Sequence, residues 1–432
     1  MLDAIGLSSL DDLFTDIPQS VRDRFRPLGR EPLSEMEVFA RLSEVAASNA
    51  GASLTPFAGG GIYDHYTPSI VGHLTARSEF VTAYTPYQPE ISQGTLTAMF
   101  EFQTMVAELY GMDIANGSLY DGGTALAEAA LMAERIRKRG RIAVARTIFG
   151  HLRRVLDTYA WGADIDLVDV PFHTGSGQLD TNAIPQDVSA LIVQTPNALG
   201  VIESLEGLKE QLGDRLLIVS ADPIAAALLK TPGTCGADIV VGEGQALGLP
   251  MAYGGPLLGL FATRAAHLRQ MPGRVAGRTV DAEGAIGYVM AAQTREQHIR
   301  RARATSNICT NSALCALAAT IYMATLGGDG LRDVAARCAQ RAHDLAARAT
   351  ELDGYELAFD GPFFHEFVLR VPGDPRTLLE TLAEAGCVVT PPTDLQELGL
   401  ENALRFAVTE KRTDEEFERL IAALASFAGE EA

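Results

Sequence analysis

Three textures of hydrophobic patterning follow one another along the chain. In residues 1–60 the apolar positions show helical spacing in one segment. Val38, Leu42 and Val45 fall at helical spacing behind Ser34, with Glu37 three residues after that serine. A serine N-cap answered by an N3 glutamate is a capping box, so a helix is predicted to open at Ser34. The stretch reads as a helical N-terminal arm. In residues 61–328 short apolar runs recur at intervals of roughly 20–25 residues, with amphipathic helices between them. The runs are Ile142–Ala145, Ile165–Val170, Ala190–Gln194, Leu216–Ser220, Ile239–Val241 and Leu257–Ala262. Several are apolar without alternation, as expected when both faces of a strand are covered. Right-handed βαβ crossovers and a large, mainly parallel sheet follow. Residues 329–432 read helix, strand, strand, helix, strand, strand, helix. That order predicts a small α+β C-terminal domain, so the fold class is α/β.

Two segments break the periodicity. Residues 55–68 are rich in glycine, aromatics and proline, and residues 83–94 hold two prolines and two tyrosines. Both are predicted as loops. A long apolar helix is expected from about Asn311 to Thr325, ending at Gly327-Gly328. The longest apolar run, Ala313 to Leu326, is interrupted by Thr320 and falls short of the ~20 residues of a membrane helix.

Composition narrows the function classes. Apolar residues make up 47% of 432, so a packed core is supported. The formal charge of −20 disfavours nucleic acid and anionic lipid as partners. The N-terminus has no basic segment ahead of an apolar run, so no secretory signal is expected. Five cysteines without a CxxC pair fit reduced thiols and a cytoplasmic location. Eight histidines show no metal-ligand spacing, so no metal site is expected. Only four of the 35 cations are lysine: Lys138, Lys209, Lys230 and Lys411.

Several features bear on chemistry. Gly122, Gly123 and Thr124 open a small-residue helix behind Asp121, a start that suits a phosphate and equally suits a helix packed tightly on a sheet. Asp222 follows the Leu216–Ser220 run, where it could hold a ring nitrogen or cap the helix at Pro223. This layout matches a pyridoxal-phosphate domain, which calls for a lysine just after Ile239–Val241. That segment has none, and none occurs between Lys230 and Lys411. None of the four lysines looks desolvated. Tyr84, Tyr87, Gln88, Glu90 and Ser92 share one proline-bounded loop, and His65 and Tyr66 lie in the glycine-rich one. Loops restrained this way often carry function, although both also read as structural staples. Arg295, Arg300, Arg301 and Arg303, with His298, form a basic patch. It reads as a solvated or interface face, or as a cluster that meets a carboxylate or phosphate.

On these residues the chain resembles a known family. Thr85-Pro-Tyr-Gln-Pro-Glu-Ile-Ser-Gln-Gly, Ser118-Leu-Tyr-Asp-Gly-Gly-Thr-Ala, Gly236-Ala-Asp-Ile-Val-Val-Gly-Glu-Gly-Gln, Gln293-Thr-Arg-Glu-Gln-His-Ile-Arg-Arg and Ala304-Thr-Ser-Asn-Ile-Cys-Thr-Asn are similar to the P-protein of the glycine cleavage system, glycine dehydrogenase (decarboxylating). They are most similar to subunit 1, the alpha subunit of its two-subunit form. The resemblance spans about residues 55 to 330. It implies a type I pyridoxal-phosphate-dependent transferase fold. It also implies a homologous partner, subunit 2, that carries the Schiff-base lysine and the cofactor. The implied assembly has two alpha and two beta chains, decarboxylates glycine, and passes the aminomethyl group to the lipoyl arm of the H-protein. The partner's lysine segment corresponds here to Gln245 and Ala246. Within this frame Tyr84, Tyr87, Gln88, Glu90, Ser92, His65, Tyr66, Arg303 and Asn307 are candidates for shaping an interface active site. Gly122, Gly123, Thr124 and Asp222 are candidates for a relic or interface cofactor site. Two alternatives stand beside it: a non-catalytic scaffold of the same complex, and an independent pyridoxal-phosphate enzyme, against which the missing lysine argues.

Overall fold

The computed structural model describes residues 1–26 and 28–431, and only the backbone of Ala50, Ala52, Tyr253 and residues 429–431. The chain divides into two units, Met1–Ser53 and Leu54–Ala432. In the first, helix α1 (Glu35–Ala47) starts where the capping box dictates. The Glu37 N–H donates to Ser34 Oγ at 3.3 Å, and Glu37 Oε2 accepts the Ser34 N–H at 2.8 Å. Short helical turns at Asp3–Ile5, Leu10–Phe14 and Gln19–Arg22 precede it. None of these elements buries a residue.

The second unit opens with β1 (Thr55–Phe57). Its main sheet holds β2 (Ile114–Ala115), β3 (Arg141–Ala145), β4 (Asp166–Val170), β5 (Ala190–Thr195), β6 (Leu216–Ala221), β7 (Ile239–Glu243) and β8 (Gly259–Thr263). The order is β2-β8-β7-β6-β5-β3-β4. Strands β3 to β7 run parallel, β8 runs antiparallel to β7, and β2, antiparallel to β8, shares the direction of the others. The β7–β8 return contains no α-helix, and a parallel pairing needs a longer crossover. All six residues of β5 and all six of β6 are buried, which is why each opens with four consecutive apolar residues. Helices α2 (Gln93–Tyr110), α3 (Gly122–Arg137) and α4 (Gly150–Gly162) follow, and α2 and α3 pack against strands of this sheet.

Two segments depart from the sequence expectation. Residues 264–305, where no strand is expected from the sequence, hold the hairpin β9 (Val275–Val280) and β10 (Ile286–Ala291), joined by an Asp281 turn. Thr55–Phe57, expected as loop, is a strand because it pairs in parallel with β13 (Cys387–Val389), a partner far away in sequence. The antiparallel sheet β11 (Glu356–Leu357), β12 (Glu366–Arg370) and β14 (Ala403–Ala407) completes the C-terminal layer. A separate core of Phe57, Phe367, Phe406 and Phe417 lies under it. Helix α5 (Ala313–Thr350) joins two helical stretches at the expected glycine break. Gly327 breaks it locally (φ 64°, ψ 179°) and the helix resumes. By length and composition α5 qualifies as a membrane span, yet half of its most apolar window is buried in this fold.

Candidate active-site face and cofactor cradle

Open α/β sheets bind ligands at the carboxyl ends of their strands. At that edge Asp121 caps α3, its Oδ1 accepting the Thr124 N–H at 2.7 Å. The Gly122 N–H at the same helix start is also taken. It donates to Glu243 Oε2 at 2.9 Å, while Glu243 Oε1 accepts the Gln245 and Leu258 N–H groups at 2.9 and 3.0 Å. Burial pushes the Glu243 carboxyl up to about 7, although three N–H donors favour its charged form. Gly122 eases this approach, where a side chain would be crowded. A Cβ there would stand 3.1 Å from Glu243 Cβ and 3.2 Å from its backbone nitrogen. Gly123 is as close to α4, at 3.2 Å from Val155 Cγ2.

The neighbouring groups are equally engaged. Asp222 Oδ1 accepts the Ala225 N–H at 2.7 Å and so caps the helix at Pro223, with Oδ2 3.9 Å from His365 Nε2. Gln245 is buried. Its Oε1 accepts the Tyr63 N–H at 3.0 Å, and its Nε2 donates to the Tyr63 and Leu249 carbonyls at 3.1 and 2.8 Å. The cavity left among Tyr63, Phe149, Gln194, Ser220, Asp222 and Glu243 measures about 40 Å³. A cavity that admits one benzene ring is about 150 Å³. This cavity has room for water. Pyridoxal phosphate does not fit this cavity, which lacks ring volume and a lysine among its lining residues.

The glycine-rich loop is fastened to the C-terminal layer. Gly60, at φ +95°, donates its N–H to Glu366 Oε1 at 2.6 Å, and a Cβ on it would meet Arg405 Nη2 at 2.7 Å. Asp64 pairs with Lys411 and Arg412 at 2.5 and 2.6 Å. His65 is buried, with Nδ1 2.8 Å from Glu410 Oε2, and Tyr66, exposed, donates its N–H to Glu410 Oε1 at 2.7 Å. Cys338 Sγ also donates to Glu410, at 3.3 Å. His65, Cys338 and Glu410 thus gather ligand atoms within 4.8 Å of one another, a grouping that histidine spacing could not reveal.

Burial alone would raise the Glu410 carboxyl, but His65 and the backbone donors outweigh it and hold the group down to about 2 from the usual 4.5. A depressed acid contributes stability above its unfolded pKa and loses it as pH falls toward the folded value. Glu410→Gln should therefore cost about 3 kcal/mol at pH 7. That cost should shrink as pH drops below 4.5. Urea unfolding of both proteins at pH 7 and pH 3.5 checks this. A cost that does not change with pH would contradict it.

The loop of Tyr84 to Ser92 is organised by a residue that sequence reasoning missed. Arg274, its guanidinium almost fully buried, donates to Thr85 Oγ1 at 2.9 Å, Tyr87 Oη at 3.0 Å, the Cys309 carbonyl at 2.6 Å and Thr310 Oγ1 at 3.2 Å. His298 stands edge-on to Tyr87, with ring centroids 5.7 Å apart. One arginine therefore joins this loop to residues 296–310. Tyr84, Gln88 and Glu90 are exposed, and Ser92 sits at the N-cap of α2 without a side-chain cap bond. A cavity of about 100 Å³ lies beside Tyr84, between Phe80, Met99 and Leu317. Arg303 and Asn307 are exposed, and Ser306 between them donates to the buried Glu128 at 2.8 Å. No hydrogen bond, ion pair or ring contact among the described residues joins His65 or Tyr66 to the 84–92 loop.

Two charged groups behave differently from their sequence reading. Arg295 does not belong to the basic patch. It is buried and donates to the carbonyls of Met271, Gly273 and Ala292. Lys209 is not on a solvated face. Its Nζ donates to Asp238 at 2.8 Å and to the Arg215 carbonyl at 2.7 Å.

Comparison with known proteins gives a consistent set. The family model described as glycine cleavage system P-protein matches residues 1–424. A "probable glycine dehydrogenase (decarboxylating) subunit 1" of Moorella thermoacetica is 48% identical over 98% of this chain and 96% of its own length. The crystal structure of a glycine decarboxylase (P-protein) of the glycine cleavage system, in inhibitor-bound form, superposes with a TM-score of 0.91 at 43% identity, covering 99% of this chain and 97% of that one. A Lactobacillus brevis glutamate decarboxylase, 14% identical with a TM-score of 0.70 over 95% of this chain and 96% of its own, shares the fold alone. The fold is the type I pyridoxal-phosphate-dependent one.

Proposed function

The chain belongs to the glycine cleavage system P-protein family, and from that premise we propose that it is the half of a two-subunit glycine dehydrogenase that does not hold the cofactor. Its relatives are named as subunit 1, so a second subunit stands beside them. In this reading subunit 2 carries pyridoxal phosphate on a lysine, and two copies of each chain assemble in the cytoplasm. The enzyme decarboxylates glycine and delivers the aminomethyl group to the lipoyl arm of the H-protein. The cofactor, bound by the partner, supplies the electron sink for decarboxylation.

The observation that carries the reading is Gln245. By the family resemblance its neighbourhood, with Ala246, corresponds to the partner's lysine segment, and here the backbone takes up both ends of its amide. What this chain contributes is a fixed polar face. Arg274 holds Tyr87 and presents Gln88 and Glu90 outward. Tyr84 and Ile91, exposed at 84 and 81%, give that surface apolar area for a partner to cover. Two similar folds can reuse one contact about a pseudo-two-fold axis, and obligate contacts of this kind commonly exceed ~2,000 Å².

Tyr87→Phe removes one hydrogen bond to a cation, roughly 1.5–3 kcal/mol, and should lower glycine–bicarbonate exchange by about tenfold in the assembled enzyme. Glu90→Gln should lower it as well. The Glu90 side chain makes no hydrogen bond or ion pair among the described residues, so its effect reports on the partner's site. Sedimentation should show intact assembly for both variants. Wild-type rates in both would favour a non-catalytic scaffold instead.

A further inference from the structure

Three ligating side chains meet from distant parts of the chain. His65 comes from the loop after β1, Cys338 from α5 beyond the Gly327 break, and Glu410 from the turn that follows β14. Their Nδ1, Sγ and carboxylate oxygen lie within 4.8 Å of one another. Glu410 Oε2 is the shared point, 2.8 Å from Nδ1 and 3.3 Å from Sγ. The cluster is shut from water: the His65 and Glu410 side chains are 3 and 11% exposed, and Cys338 is fully buried. A fourth polar atom stands beside it. Tyr322, buried on α5 ahead of the Gly327 break, has no hydrogen-bond partner for its Oη among the described residues. After burial, the charges that push its hydroxyl upward are those of Glu410 and Cys338, which places Oη at this cluster. A buried hydroxyl without a partner costs about 1–3 kcal/mol, so this one calls for a further group beside it.

We propose that His65, Cys338 and Glu410 form a zinc site that clamps the glycine-rich loop to α5 and to the segment after β14. A thiolate, an imidazole and a carboxylate are ligand types that zinc takes, and the soft sulfur disfavours Mg²⁺ and Ca²⁺. Bonds of roughly 2.0–2.3 Å to a tetrahedral ion put ligand atoms roughly 3.3–3.6 Å apart, so the cluster opens by about half an ångström to admit it. Zinc displaces the Cys338 thiol proton, which leaves to water. His65 turns its Nδ1 lone pair to the ion and keeps its proton on Nε2. Thiolate and carboxylate then balance the two charges of the ion. Water takes the fourth position and bonds to Tyr322 Oη. Without zinc the three groups hold one another, so the pH-dependent cost of Glu410→Gln belongs to the metal-free chain. The proposal concerns this chain alone and does not depend on the partner's cofactor.

The test is metal binding by the full chain, stripped with a chelator and titrated with Zn²⁺ or Co²⁺. The wild type should keep one zinc per chain after dialysis. X-ray absorption at the zinc edge should show one sulfur at about 2.3 Å, with nitrogen and oxygen at about 2.0–2.1 Å. The Co²⁺ form should show a thiolate-to-metal charge-transfer band. Cys338→Ser should abolish that band and weaken zinc binding by more than about 100-fold, since losing even an outer partner of a metal ligand costs about 10–100-fold. Cys309→Ser, at an exposed cysteine, should keep both the band and the affinity. If Cys338→Ser does not fold, the zinc absorption spectrum of the wild type decides alone. A folded wild type without stoichiometric zinc overturns the proposal. So does a zinc shell without sulfur, or a charge-transfer band that survives Cys338→Ser or vanishes in Cys309→Ser.

Discussion

Arg274→Ala should lower glycine–bicarbonate exchange by the reconstituted enzyme on the order of 100-fold. The side chain is nearly the whole link between the 84–92 loop and the segment of Cys309 and Thr310. Hydrogen bonds from a charged group are worth about 1.5–3 kcal/mol each, and this guanidinium makes four. Its loss also leaves Glu296, 3.9 Å away and only 12% exposed, without its arginine neighbour. A displacement of about 1 Å in a positioning group can cost 10²-fold in rate, which sets the expected size. Arg274→Lys should recover only part of the activity, because an ammonium group cannot span four acceptors arranged for a planar fork. If the loss reflects positioning, kcat should fall while the two subunits still sediment together. Exchange within threefold of wild type for Arg274→Ala would show that the loop geometry is irrelevant to the reaction.

How much of this was legible in the sequence depends on how local the cause is. Strands β5 and β6 were readable because burial on both faces writes itself into consecutive apolar residues. The capping box of Ser34 and Glu37 was readable because donor and acceptor lie three residues apart. The β1–β13 pairing left no such mark, since a three-residue strand has no period to detect. Arg274 was hidden among many arginines, and two of its acceptors, Thr85 and Tyr87, are 189 and 187 residues away. Arg295 was misread for a related reason. Its acceptors are backbone carbonyls, which no side-chain pattern reveals. Glu243 carried a usable signal: an acid at the end of an apolar strand, in a fold where a helix starts with Gly-Gly nearby. The lysine count needed no structure, and the engaged amide of Gln245 adds a physical reason beside it.

The claim that this chain serves a partner's cofactor without holding one is tested most directly by borohydride reduction. This chain alone, and the pair co-expressed with subunit 2, are incubated with pyridoxal phosphate and glycine, reduced, and digested for mass spectrometry, with exchange activity measured in parallel. The account predicts a pyridoxyl adduct on a lysine of subunit 2 only, and exchange only in the pair. An adduct on Lys138, Lys209, Lys230 or Lys411 of the folded chain, or exchange by this chain alone, would contradict it.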